Sequence, residues 1–252
     1  MTAAGVDGCK AGWVAVIRPA PDAAPEAVVH ASFSELLANL PDDAVIAVDM
    51  PIGLPEFSAR GGRGPETLVR PLLGQRQSSV FSIPARAAVY AETAPFTNLE
   101  AWYAGHTKAS AVARGLSDPP RGVSIQAYGI FSKIREIDAL LIERPELRTQ
   151  VIESHPEVAF WRLNNEQAMA LPKKVKGRIN PAGMEERREL LQRRGYDASF
   201  LQARPPRGAG DDDFLDACAM LLIAERHQRR ETQSFPSPPG RDAHGIPVAI
   251  WV

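Results

Sequence analysis

Cysteine is nearly absent from this chain of 252 residues, which has Cys9, Cys218 and no others. Two thiols so far apart exclude a disulfide framework, and without a C-x-x-C pair a structural zinc site lacks its ligands. A reducing, cytoplasmic setting is the expectation that follows. Long apolar runs are missing as well. No stretch of about 18 apolar residues occurs, which excludes a membrane-spanning helix. The opening MTAAGVDGCKAGW has neither the basic nor the apolar region of a signal peptide. Charge of one sign is missing too: 29 basic and 30 acidic residues give a net charge of −1, which argues against holding nucleic acid by overall charge. Aromatic residues make up 7%, too few for an extended platform that stacks single-stranded bases, and Trp102, Tyr103 and Trp161 read as core. No G-x-S-x-G elbow is present and the five histidines show no triad spacing. Ser78 and Ser79 therefore read as a helix cap or as hydroxyls that touch phosphate, with Ser79 the candidate.

What remains is an ordinary globular composition, 44% hydrophobic and 23% charged. Ala3–Val6 and Gly12–Arg18 read as two strands of a hairpin joined by Asp7-Gly8-Cys9-Lys10-Ala11. Ala27–Phe33 reads as a third strand, and Ser34–Leu40 as a short helix capped by Ser32 or Ser34. Ala44–Val48 is an unbroken apolar run that ends at Asp49 and is stopped by Pro51, the pattern of a strand buried on both faces. A meander followed by a helical crossover predicts a mixed sheet.

Between residues 53 and 125, glycine and proline interrupt the pattern. Helices are expected at Leu68–Leu73, Ile83–Glu92 and Leu99–Arg114, within a helical insertion around residues 56–125. Ile125–Leu141 has apolar residues three and four apart and predicts one helix. Val151–Glu153 reads as a strand, Pro181–Arg194 as a polar helix, Asp212–Arg229 as the strongest helix and Gly245–Val252 as a last strand. The expectation is one α/β domain over residues 1–252.

The acidic residues fall where chemistry is done. Asp7 and Asp49 each follow an apolar strand, and the carboxyl edge of an open α/β sheet is where ligands bind. Each could equally start a turn, since Asp-Gly and Asp before Pro are turn chemistry. The late helix opens with Asp211-Asp212-Asp213 and carries Asp216 three residues on, so Asp213 and Asp216 share a face. Helix-dipole complementation explains Asp211 and Asp212 but not Asp216, which sits among apolar neighbours. Carboxylates crowded together persist as anions only when a cation offsets them, and oxygen ligands suit Mg²⁺ or Mn²⁺. Asp7, Asp49, Asp213 and Asp216 are therefore the candidate metal ligands and catalytic residues. Glu153, at a predicted strand end, is a further catalytic candidate. Glu157 ranks below it because it can simply cap the next helix, and His155 reads as structural.

Positive charge is local. Between Lys173 and Arg207 ten basic residues face four acidic ones. Lys173, Lys174, Lys176 and Arg178, in a glycine-containing loop, are the candidate phosphate contacts, with Lys10 beside the first acidic motif. The helix that follows could equally be a solvated one with pairs such as Glu189–Arg193. A second group, Arg60, Arg63, Arg70, Arg76 and Arg86, faces only Glu66.

The segments GVDGCKAGWVAV, AVDMPIGLP, SSVFSIPARAAV, SIQAYGIFSKIREID, ESHPEVAFWRL, KKVKGR, DDDFLDACAMLLIAER and GIPVAIWV together resemble the DUF429 family, described as nucleases of the ribonuclease-H-like fold. The resemblance implies an antiparallel three-strand meander continued by parallel strands, flanked by helices. It matches Asp7 to the aspartate of the first-strand motif and Asp49 to that of D-x-P-I-G. Glu153 and Glu157 match E-x-H-P-E, and Asp213 and Asp216 the late acidic pair, which also resembles the D-x-x-D-A helix of junction resolvases. The chain departs from the pattern at Arg63-Gly64-Pro65-Glu66, where the family often has Arg-x-Cys-Asp. The function expected is a metal-dependent phosphodiesterase acting on DNA or RNA, with a homodimer as a possible state. The alternatives are a nucleotide-binding phosphotransferase of the actin/sugar-kinase type and a binding protein that keeps the fold without catalysis.

Overall fold

A computed structural model describes residues 1–252. Strands β1 (Ala3–Cys9), β2 (Gly12–Arg18) and β3 (Glu26–His30) form an antiparallel meander. The hairpin loop is tighter than the sequence predicts: Cys9 pairs with Gly12, so only Lys10 and Ala11 remain in the turn. Asp7 consequently lies inside β1, opposite Val14, and not in the connection. Gly12 sits at φ 135°, and a Cβ there would stand 2.2 Å from the His30 carbonyl oxygen, so glycine alone allows the close turn.

Helix α1 (Phe33–Ala38) follows, with the Ser32 hydroxyl accepting from the Glu35 N–H at 3.1 Å. It leads into β4 (Val45–Asp49), parallel to β1. After an insertion, β5 (Val151–Ser154) pairs parallel with β4. The sheet has five strands in the order β3-β2-β1-β4-β5.

The insertion is less helical than expected. A short helix at Pro65–Val69 continues as a 3₁₀ segment over Arg70–Ser79 that is interrupted at Gly74, and only Arg86–Val89 of the Ile83–Glu92 stretch is α-helical. Helix α2 (Leu99–Gly115) forms as expected. The single helix predicted for Ile125–Leu141 is two: Ile125–Gly129, a break at Ile130, and α3 (Phe131–Glu143). Gly129 beside the break weakens the helix there.

The sheet is covered on both faces, as a largely apolar β4 requires. Strand alternation divides its residues. Ala4, Val6, Ile46, Val48 and Val151 face α1, α2 and α3, where Phe33, Ala109, Phe131 and Ile134 complete one core. Ala3, Val14, Val16, Ala47 and Ile152 face the other side, covered by α4 (Pro156–Leu163), α5 (Pro181–Arg193) and α6 (Asp211–Gln228). Every residue of α6 from Phe214 to Ala224 is buried, so this helix runs through the core and not over the surface. It lies directly on β1: a Cβ at Gly5 would meet the Leu221 nitrogen at 1.9 Å and the Ala217 carbonyl oxygen at 2.1 Å.

The last strand, β7 (Pro247–Trp251), pairs antiparallel with β6 (Ser234–Arg241) in a separate two-stranded sheet. Of the residues expected in the core, Trp161 is buried, but Tyr103 is exposed on α2. No helix is long and apolar enough to cross a membrane.

Candidate metal centre

Asp7, Asp49 and Asp216 come together. Within β1, Asp7 shares a face with Gly5, the face pressed on α6; Asp49 shares a face with Ala47, which packs in the same core. Asp216 lies in the second turn of α6 and completes the group from above. One oxygen from each carboxylate lies within 4.8 Å of the other two. Asp7 and Asp216 are buried and Asp49 is half-buried.

Burial first, and repulsion from Asp49 and Asp216 second, push the Asp7 carboxyl well above its ordinary range. Burial likewise pushes Asp49 and Asp216 up to about 7, against the pull of the Lys173 ammonium. Lys173 pairs with Asp216 Oδ2 and is itself held above its ordinary value by Asp216, Asp7 and Asp49 despite its burial. One ammonium faces three carboxylates. Asp216 Oδ1 is buried with no hydrogen-bond partner, and an orphaned carboxylate oxygen in the interior is costly.

These residues fit a divalent cation. Their donors are hard oxygens, and once deprotonated their charge exceeds that of Lys173. An octahedral Mg²⁺ bonded at about 2.0–2.1 Å spans about 4.2 Å between opposed ligands, and the 4.8 Å limit on the cluster is of that size.

The remaining acidic candidates lie elsewhere. Asp213, one turn before Asp216, accepts the Gly210 N–H at 3.0 Å and closes the N-terminus of α6. Its carboxyl is raised by burial, and its charge is felt at Asp7 and Asp49, but it stands outside the converging three. Glu153 is in register with Val48, on the opposite face of the sheet from Asp49. Its oxygens accept from both terminal nitrogens of Arg63, at 2.6 and 2.9 Å, and from the Ile52 N–H at 2.7 Å. Arg63 also pairs with Glu66 at 2.8 Å. Glu153 is thus held in a buried ion pair with Arg63 and stands outside the converging three.

Glu157, ranked lower from sequence, is the more available. Arg187, fully buried on α5, holds Glu157 Oε1 at 2.6 Å, while Oε2 has no partner. The Glu157 charge is felt at both Asp49 and Asp216. His155 Nε2 meets the Ser79 carbonyl oxygen at 3.3 Å, and its Nδ1 is buried and unpartnered.

The basic candidates divide as well. Lys173 is the counter-ion of the cluster and not a free phosphate contact. Lys174 pairs with Asp212 at 2.5 Å. KKVKGR is a small hairpin, Lys174–Val175 pairing with Arg178–Ile179, with Lys176 and Gly177 at positive φ in its turn. Lys176 and Arg178 are exposed there, and Lys10 is exposed at the β1–β2 turn. The Ser79 hydroxyl donates to the Arg76 carbonyl at 2.8 Å. Arg63 and Arg86, of the second positive group, and Arg187, of the charge-rich helix, pair with buried carboxylates.

A cavity of about 260 Å³ opens on the cluster, lined by Asp7, Asp49, Lys133, Glu153, His155, Glu157 and Lys173 among others. Lys133 was not singled out in the sequence. Its ammonium lies 4.4 Å over the Trp13 ring and donates to the Gly12 carbonyl. Its spacing within an otherwise helical run gives no sign of this role.

Fold and site together define an α/β protein with a mixed five-stranded sheet and a carboxylate centre at the carboxyl ends of two interior strands. The family model described as protein of unknown function (DUF429) matches residues 5–241, and the chain belongs to that family. No curated protein and no solved structure matches it.

Proposed function

We propose that the protein is a metal-dependent nuclease of ribonuclease-H-like fold. The observation that carries this reading is the convergence of three carboxylates, two buried and one half-buried, with an orphaned Asp216 oxygen beside an open cavity. The antiparallel meander continued by two parallel strands is the arrangement the family resemblance implies, and it supports the fold assignment.

Asp7, Asp49 and Asp216 would hold Mg²⁺ or Mn²⁺. Such an ion, when bound, lowers the pKa of a bound water and polarises a phosphoryl oxygen. The chain's own groups do the rest. Lys133 and Lys173 place positive charge on the cavity wall, where the oxygens of a phosphodiester would enter. Glu157 Oε2 and His155 Nδ1, both unpartnered, can accept a proton from water or orient it. Lys176 and Arg178, exposed on the hairpin whose base carries Lys173, are positioned to meet the flanking backbone of a DNA or RNA strand.

The test is cleavage of single-stranded, double-stranded and branched DNA and RNA with Mg²⁺ or Mn²⁺. Wild type is expected to cut at least one substrate, and Asp7→Asn to lose at least about a hundred-fold in rate. Equal rates for wild type and Asp7→Asn would reject the reading.

A further inference from the structure

A second charged recess lies at the far end of α6. Arg226 follows Asp216 by ten residues on this helix, which is about 15 Å along the axis, so the two sites are separate. This end sits at the amino side of the sheet, where Gln228 donates to the Thr2 carbonyl at 2.6 Å and Arg18 pairs with Glu225. Arg162 of α4, Arg194 just past the end of α5, Arg226 of α6 and Arg229 just past its end line one cleft of about 690 Å³.

The carboxylates nearby do not balance these charges. Glu166 pairs with Arg162, Glu225 is taken by Arg18, and Glu231 is shared between Arg226 and Arg229. Arg194 has no carboxylate at all: it rests on the Leu163 carbonyl and, at 2.9 Å, on Asn165 Oδ1. Arg226 Nε is buried without a partner. Burial, with the positive charge of Arg162, Arg229 and Arg194, lowers the pKa of the Arg226 guanidinium.

Four guanidiniums gathered round one hollow repel each other, and packing alone gives no reason to collect them. The loop that orients two of them is also strained. Asn165 and Glu166 are consecutive non-glycine residues at φ 55° and 61°, a conformation such residues adopt only at a cost. It sets Asn165 on Arg194 and Glu166 on Arg162.

We propose that this cleft is a phosphate site, taking a small molecule that bears a phosphomonoester or pyrophosphate group. A guanidinium presents five N–H donors in a fork that matches phosphate, and Arg162, Arg226 and Arg229 each use one in a hydrogen bond to the protein. The recess has the volume of small-ligand pockets, about 300–1,000 Å³. A nucleic-acid backbone calls for cations spaced along a track, whereas these surround one hollow.

Calorimetric titration of the full chain in chelator tests this, with inorganic pyrophosphate, inorganic phosphate and an oligonucleotide lacking terminal phosphates as separate probes. Pyrophosphate is expected to bind saturably with Kd below about 1 mM, and more tightly than the oligonucleotide. Arg226→Gln and the more exposed Arg229→Gln should each weaken binding roughly ten-fold with unchanged melting profiles. Lys133→Gln, at the other site, should leave it unchanged. No saturable binding by wild type, equal affinity in both arginine variants and wild type, loss in Lys133→Gln, or a preference for the oligonucleotide would each overturn the proposal.

Discussion

Lys173 is the residue on which the charge of the centre turns. Its ammonium is the sole cation paired directly with the converging carboxylates, and an incoming divalent ion must share them with it. Lys173→Met removes that competitor and leaves a more negative cluster. Mn²⁺ should then bind more tightly, roughly ten-fold or about 1.4 kcal/mol, as measured by electron paramagnetic resonance titration. Weaker binding in Lys173→Met would mean that the lysine supports the ion site instead of opposing it. Residue by residue, the sequence showed which acids were out of place but not where each pointed. Asp216 was legible because it stands among apolar residues on a helix. The placement of Glu153 was not legible, because its side chain turns to the other face of the sheet from Asp49, and the register that decides this, Val48 against Glu153, is set by tertiary pairing. Arg63 was equally opaque: nothing in Arg63-Gly64-Pro65-Glu66 announces a guanidinium buried between Glu66 and Glu153.

At the scale of elements, the site exists because α6 lies against β1 with no side chain between them at Gly5. That contact fixes the height of Asp216 above Asp7. Gly5→Ala would drive a methyl group into the backbone of Leu221 and Ala217, neither of which is a flexible side chain able to yield. The substitution should destabilise the protein by more than about 2 kcal/mol, measured by urea denaturation, and weaken Mn²⁺ binding in the fraction that stays folded. Wild-type stability and affinity in Gly5→Ala would show that the helix can lift without consequence. The elements themselves were largely readable. The meander, β4, α2 and α6 follow from apolar runs, helical spacing and the Ser32 cap. The errors lie where local signals compete: the break at Ile130 inside a continuous 3.6-residue pattern, and the 3₁₀ turns of a segment rich in glycine and proline. Strand alternation carries through Asp7 as the odd-numbered continuation of β1 because the turn is as tight as the Cys9–Gly12 pairing makes it.

For the whole molecule, the proposed centre would link stability to pH and to metal. Asp49 and Asp216 titrate in the fold at about 7, against an ordinary value of 3.8. Between those values the folded chain holds more protons than the unfolded one, so stability falls as pH rises. Protein stripped of divalent ions should therefore melt at a lower temperature at about pH 8 than at about pH 6. On the proposed function, added Mn²⁺ should bind the deprotonated carboxylates and stabilise the fold by mass action, so the gain in Tm should be larger at the higher pH. A Tm that rises with pH in chelator, or an ion effect that shrinks, would contradict the coupling.

The most direct measurement is diffraction from crystals grown with Mn²⁺, recorded at the manganese absorption edge. An anomalous peak is predicted in contact with Asp7, Asp49 and Asp216 together, with the Lys173 ammonium displaced from Asp216 Oδ2. A saturated crystal with no peak among these three carboxylates, and Lys173 still seated on Asp216, would contradict the account.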